Sequence, residues 1–481
     1  MGNNSLKSTA IKGVIWSAVD KFAVQFGQFV VGILLARILL PEDFGLIGML
    51  TIFIAVSQTF TESGLGTGLI QRQNRSGIDF STLFVFNLAV SGFFYLLLFF
   101  AAPFISSFFG QPELTYLTRV LGLTLFFNAF AIVQRTKLTI AVDFKSIAKS
   151  NVIGMITGGI CGVVAAINGY GVWSLVIQML AGAFSSSLSL WFLSNWMPSV
   201  AFSKKAFRSL FGYGSRLLIA GLYAQILNNI YNICLGKFYT PASLGYYTRA
   251  KSFADIAAGT IGSILQQSTF PILASVQDDK EKLISIFSRM IRMSAFLVLP
   301  LMTLIALLAK PIVLLLLTEK WSSVIPLLQW IVFSRVFLPV SSLNLNLLNA
   351  AGRSDLYLKT DLSKLPVTLL AMAITIPLGV KAIVIGHVVT SALFFAVNAY
   401  LPGKLFGYGI LKQIKDMLPF LAATIGMSIV VFITSWLTEN LILQLFLGGI
   451  SGVITYLVIC RLFRLEELKE VCEIVLKMKK G

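Results

Sequence analysis

Long apolar stretches separated by short polar breaks run the whole length of this 481-residue chain. Fourteen can be placed, near residues 13–37, 44–68, 80–102, 114–134, 150–168, 171–193, 210–236, 244–270, 291–310, 323–348, 359–378, 382–401, 417–437 and 441–461. Runs of about 18–25 apolar residues suit α-helices crossing a bilayer, and are too long for the strands of a membrane barrel. The connections are short throughout, so no soluble domain is inserted. The opening hairpin, residues 13–53, returns 200 positions later. Gln25, Ile33, Leu35, Pro41, Gly45 and Phe53 recur as Gln225, Ile233, Leu235, Pro241, Gly245 and Phe253, and Arg37 recurs in kind as Lys237. An echo at fixed offset marks an internal repeat, a common build for membrane transporters. It predicts two related bundles, 1–205 and 206–403, with residues 404–481 appended.

Composition agrees with this pattern. Hydrophobic residues make up 57% of the chain and charged ones 12%, and the mean hydropathy is +0.85. Soluble domains carry about 25% charged residues, so this chain cannot cover a water-facing surface. The net charge of +18 raises nucleic acid as a partner, but its distribution points elsewhere. Alternate connections, with the two termini, hold 26 of the 38 Lys and Arg, and the opposite set holds 5. Positive charge collects on the cytoplasmic side of membrane proteins, which places both termini in the cytoplasm and assigns no nucleic-acid role. Asp20 and Lys21 interrupt the first apolar run, so it does not read as a cleavable signal. Cys161, Cys234, Cys460 and Cys472 have no metal-site spacing, and the single His387 cannot complete one. No metal, cofactor or catalytic residue is expected. The end of the chain from Arg461 mixes Glu466, Glu467 and Glu470 with lysines and predicts a short, solvated surface helix.

Charges inside spans are costly and face a cavity or a partner. Asp255 lies roughly 17 Å from the outer end of span eight and Arg335 roughly 18 Å into span ten, at 1.5 Å per residue. Neither can reach water along the helix. Arg119, Arg216 and Arg249 lie nearer span ends, where a long side chain can snorkel to the interface. Lys364 and Glu62 fit a plain interfacial role. Lys251 and Asp255, spaced i, i+4, share a helix face and can pair. At the 200-residue offset Met49, Thr51 and Ala55 stand where Arg249, Lys251 and Asp255 stand, so only the second bundle carries these charges. Gln225, Asn228, Asn229 and Asn232 form a polar stripe on span seven, suited to a wet lumen or to bonds between helices. Asp20 is a second carboxylate within a span.

Several stretches resemble one family. They are GLGTGLIQRQNRSGIDFSTLFVFNL (64–88), QRTKLTIAVDF (134–144), YGVWSLVIQ (170–178), PASLGYYTRA (241–250) and EKWSSVIPLLQ (319–329). In order and spacing they are similar to the Wzx-type flippases, the polysaccharide-transport branch of the multidrug/oligosaccharidyl-lipid/polysaccharide exporter superfamily. The resemblance implies an all-α fold of two six-helix lobes facing each other in a V, with two extra C-terminal helices. It implies a bacterial inner-membrane location and an undecaprenyl-diphosphate-linked oligosaccharide as cargo. A polysaccharide polymerase and a chain-length regulator would be partners. An anionic diphosphate gives Arg335, Arg249, Lys251, Arg216 and Arg119 a role as counter-charges, and a glycan suits Asn228 and Asn232. Asp255 and Asp20 would then be the ion-coupling carboxylates, for H+ or Na+, since no nucleotide loop is present. Two other classes stand beside this one. A cation-coupled exporter of small molecules would favour acidic over basic interior residues. A membrane polymerase or ligase would need catalytic groups on a large outer loop, and the outer connections are short.

Overall fold

The computed structural model describes residues 3–62, 64–199, 201–276, 279–471 and 473. Among them the regular structure is helical, and thirteen helices are long and apolar enough to cross a membrane. A fourteenth, Pro241–Ser275, is long enough at 35 residues but more polar, in keeping with the Arg, Lys and Asp on it. The expected all-α membrane protein of about fourteen spans is therefore what the chain forms. Its outer surface carries bare aromatic side chains: Phe100, Phe104, Phe192 and Phe432 are each at least two-thirds exposed. Such a surface is stable against lipid and not against water.

The chain divides into two compact units, Met1–Gly245 and Tyr246–Gly481. The first holds α1 (Asn3–Ile38), α2 (Pro41–Glu62), α3 (Leu65–Gln71), α4 (Gly77–Phe109), α5 (Leu114–Leu121), α6 (Thr124–Ile140), α7 (Phe144–Ile167), α8 (Trp173–Ser194) and α9 (Lys204–Phe238). Local chemistry sets the boundaries. Ser76 and Asp79 form a capping box at the start of α4, with Ser76 N–H donating to Asp79 at 2.8 Å. Asp143 caps α7 by accepting from the Ser146 N–H at 3.1 Å. The second expected span breaks into α2 and α3 at Gly64, whose φ of +64° suits glycine. The fourth breaks into α5 and α6 beside Gly122. Hydropathy reports the apolar run and is blind to such breaks. Leu65, Leu69, Leu83, Phe84, Val133 and Leu210 make a buried cluster, and Trp191 and Trp196 present edges to Phe84.

The repeat is visible in the first unit. α1 ends at Ile38 and α2 begins at Pro41; α9 ends at Phe238 and α10 (Pro241–Ser275) begins at Pro241. Proline suits a helix start, where its missing N–H costs nothing. The two turns touch reciprocally. A Cβ on Gly45 would stand 1.8 Å from the Pro241 carbonyl oxygen, and one on Gly245 1.9 Å from that of Pro41. The Pro-x3-Gly spacing thus exists in both copies because each glycine lets the other copy's proline carbonyl approach.

The second unit continues α10 and adds α11 (Lys280–Leu307), α12 (Ala309–Leu317), α13 (Val324–Ala350), α14 (Ser354–Leu362), α15 (Lys364–Thr375), α16 (Val380–Phe406), α17 (Ile410–Trp436) and α18 (Leu441–Leu462). α13 is its most enclosed helix and packs along α16 and α11. Asn344 and Gln413, both fully buried, exchange two amide hydrogen bonds of 2.9 and 2.8 Å and clamp α13 to α17. The end of the chain is not simply solvated as expected. Glu467 is buried and accepts from Arg292 of α11 at 2.8 Å, and Glu470 pairs with Arg289 at 2.9 Å. Lys477 and Lys479 lie outside the described residues. Nearby, burial and a hydrogen bond to Asp416 push the Tyr408 phenol well above its usual range.

Candidate functional site

Two polar centres stand out, one in each unit. In the second, Arg335 of α13 and Lys251 and Asp255 of α10 converge. Arg335 Nε donates to Asp255 Oδ1 at 2.5 Å, and Lys251 Nζ lies 3.4 Å from Asp255 Oδ2. One carboxylate is therefore shared between two cations, and the cluster keeps one net positive charge. The Arg335 side chain is 10% exposed and that of Asp255 41%. The guanidinium is thus built into the helix packing while the carboxylate opens onto free space. Pro339, one turn beyond, lies inside α13. It has no N–H to offer the Arg335 carbonyl, so a backbone acceptor is released beside the cluster. Arg249 is half-buried on α10, and its spacing takes it off the face that Lys251 and Asp255 share. His387 lies on α16, the helix packed along α13.

The other nominated residues are distributed through the first unit. Arg119 of α5 donates to the Phe99 carbonyl at 3.3 Å, with its guanidinium 4.4 Å from the Phe99 ring centre. That position is a packing contact against α4. The stripe on α9 divides. Asn228 is exposed, whereas Asn229 and Asn232 are buried. Asn229 donates to the Gln225 carbonyl at 3.0 Å, and Asn232 Nδ2 lies 3.4 Å from Asn229 Oδ1. Arg216 belongs to α9, and its side chain lies outside the described residues. Asp20 of α1 accepts from the Asn151 carboxamide at 3.2 and 3.0 Å. Asn151 in turn accepts from Arg135 at 3.1 Å.

The second centre is a cavity of about 760 Å³ in the first unit, walled by α2, α3, α6 and α9. Gln58, Glu62, Asn128, Arg135, Thr136 and Gln225 supply most of its polar lining, beside three further threonines. Gln58 donates to Glu62 at 3.0 Å and accepts from Asn128 at 3.1 Å, so a bonded strip runs from α2 to α6. Glu62 is more than an interfacial group here. The i, i+4 spacing of Gln58 and Glu62 was readable in the sequence; the approach of Asn128, 70 residues away, was not.

Comparison with known proteins bears on the family and the fold. A family model described as polysaccharide biosynthesis protein matches residues 34–326. The chain is 24% identical to the succinoglycan biosynthesis transport protein ExoT of Rhizobium meliloti, over 94% of this chain and 92% of that one. It is 22% identical to the teichuronic acid biosynthesis protein TuaB of Bacillus subtilis, over 94% and 95%. It is 25% identical to the lipopolysaccharide biosynthesis protein WzxC of Escherichia coli, over 75% and 74%. Among solved structures, the lipid II flippase MurJ in an inward closed conformation superposes with a TM-score of 0.79 at 16% identity, covering 94% of this chain and 98% of that one. An inward-facing multidrug-resistance MATE transporter gives 0.63 at 16% identity, covering 84% and 98%. These likenesses show the fold.

Proposed function

Because the chain belongs to the polysaccharide biosynthesis protein family, we propose that it is a flippase for lipid-linked oligosaccharides. The cargo is a sugar repeat unit on undecaprenyl diphosphate, carried from the cytoplasmic to the outer leaflet of a bacterial inner membrane. The observation that carries this reading is the Lys251–Asp255–Arg335 cluster, a net cation within membrane-spanning helices. A diphosphate competes with Asp255 for Arg335 and Lys251. Each charge-assisted contact is worth about 1.5–3 kcal/mol, or roughly 10- to 100-fold in affinity. Asp255 has a plain role in that exchange: it neutralises the cations when cargo is absent and yields them when cargo arrives. Protonation or a bound cation on the displaced carboxylate then offers a route for coupling to H+ or Na+. Asp20, tied to Asn151, is the candidate carboxylate of the first unit, at a position unrelated by the repeat to Asp255. The repeat supports two lobes, 1–205 and 206–403, moving between inward- and outward-open states, and the charge bias of the connections supports cytoplasmic termini. A polymerase and a chain-length regulator would act on the delivered cargo. A small-molecule exporter for cationic drugs fits less well, since the cluster carries excess positive charge. Removing the protein from its host tests the reading. Lipid-linked repeat units should accumulate in the cytoplasmic leaflet and polymer should disappear. Continued polymer synthesis without such accumulation would reject it.

A further inference from the structure

We infer that the cavity of the first unit is a glycan subsite, distinct in chemistry from the cationic cluster of the second. The inference rests on the flippase reading and deepens it. At about 760 Å³ the cavity is in the range of small-molecule sites. Its charges balance, Glu62 against Arg135, and its hydrogen-bonding groups are mixed. Thr59 donates to the Ala55 carbonyl at 2.8 Å, and Thr136 donates to that of Ile132 at 2.8 Å. Both hydroxyl protons are used within their own helices, which leaves oxygen lone pairs for the cavity. Asn128 spends a carboxamide proton on Gln58, and Gln58 spends one on Glu62, at 3.1 and 3.0 Å. Glu62, when ionised, is an acceptor only. These acceptors stand beside the second carboxamide protons of Asn128 and Gln58 and beside the guanidinium of Arg135, itself engaged with Asn151 at 3.1 Å, so the wall both accepts and donates.

Phosphate oxygens are acceptors only and negatively charged, and this wall, with Glu62 offsetting Arg135, has none of the excess positive charge that the Lys251–Asp255–Arg335 cluster offers them. Sugar hydroxyls both donate and accept and are neutral, so a mixed, charge-balanced wall receives them. The polyol end of the cargo is the ligand class that fits, with Gln58, Asn128 and Thr136 selecting for it.

The test is a binding measurement on purified full-length protein with two probes. One is undecaprenyl diphosphate; the other is the lipid-linked oligosaccharide extracted from the host strain. Wild-type protein should bind the glycan-bearing lipid more tightly. Asn128→Leu should weaken that binding about tenfold, the effect of roughly one or two lost hydrogen bonds, while affinity for undecaprenyl diphosphate stays unchanged. Thr136→Val, which removes an acceptor at nearly constant volume, should do the same to a smaller extent and serves if Asn128→Leu does not accumulate. Wild-type affinity for both probes with no loss of glycan selectivity in either variant would overturn the subsite alone. Failure of wild-type protein to bind either lipid would overturn the flippase reading with it.

Discussion

Arg335 and Asp255 are partners with unequal environments, and the inequality predicts unequal consequences of losing each. Removing the charge at Arg335 leaves Asp255 partly exposed and still 3.4 Å from Lys251. Screening keeps that loss small, about 1 kcal/mol. Asp255→Asn instead leaves a nearly buried guanidinium without its anion, which costs about 3 kcal/mol by comparison with broken buried pairs. Asp255→Asn should therefore lower the unfolding midpoint in detergent more than Arg335→Met does. The opposite order would show that Arg335 is held by contacts other than Asp255. The pairing of Lys251 with Asp255 was legible from their spacing, because helix geometry fixes which residues share a face. The arrival of Arg335 was not. It comes from another helix 80 positions away, and nothing in the local sequence encodes that meeting. Depth in the membrane nominated both residues, with separate roles; the structure makes them one cluster.

At the scale of elements, the paired hairpin turns make the sharpest prediction. Gly45→Ala would put a methyl group 1.8 Å from a backbone carbonyl of the other turn. The turns must separate, at a cost of at least about 2 kcal/mol. Gly92 lies within α4, and a methyl group added there would meet no atom within 4 Å. Gly92→Ala should be neutral or stabilising by about 0.5 kcal/mol, since it only removes backbone freedom. Thermal unfolding of the two variants separates these outcomes, and equal midpoints would mean that the turns do not bear on each other. The Pro-x3-Gly repeat was plain in the sequence, but its purpose was not, because an internal repeat does not say which of its parts touch. The terminal helix gives a second prediction. Its ion pairs with Arg292 and Arg289 hold it against α11. Glu467→Gln should raise amide exchange across residues 465–471 while leaving the interior of α13 protected. Unchanged exchange would leave the apolar contacts of Leu468 and Val471 as the hold. Alternating charges along this segment read as a solvated helix because the partners of Glu467 and Glu470 lie more than 170 positions upstream.

For the whole molecule, span number and class were legible because a bilayer imposes length and apolarity on every crossing helix. Helix ends were less so: α11 begins in the polar flank at Lys280, ahead of its apolar core, and α4 runs on past residue 102 to Phe109. The charge bias of 26 to 5 predicts that cysteines placed at Lys204 label from the cytoplasm and at Glu42 from outside. Labelling of position 204 from outside would invert the topology. The central claim is that Arg335 helps carry an anionic, glycan-bearing lipid across the membrane. Its most direct test is the leaflet distribution of lipid-linked oligosaccharide in proteoliposomes made with wild-type protein, Arg335→Lys or Arg335→Met. Wild-type protein should move the lipid to the opposite leaflet, Arg335→Lys should retain part of that activity, and Arg335→Met should lose most of it at equal protein content. Transport by Arg335→Met at the wild-type rate would contradict the account.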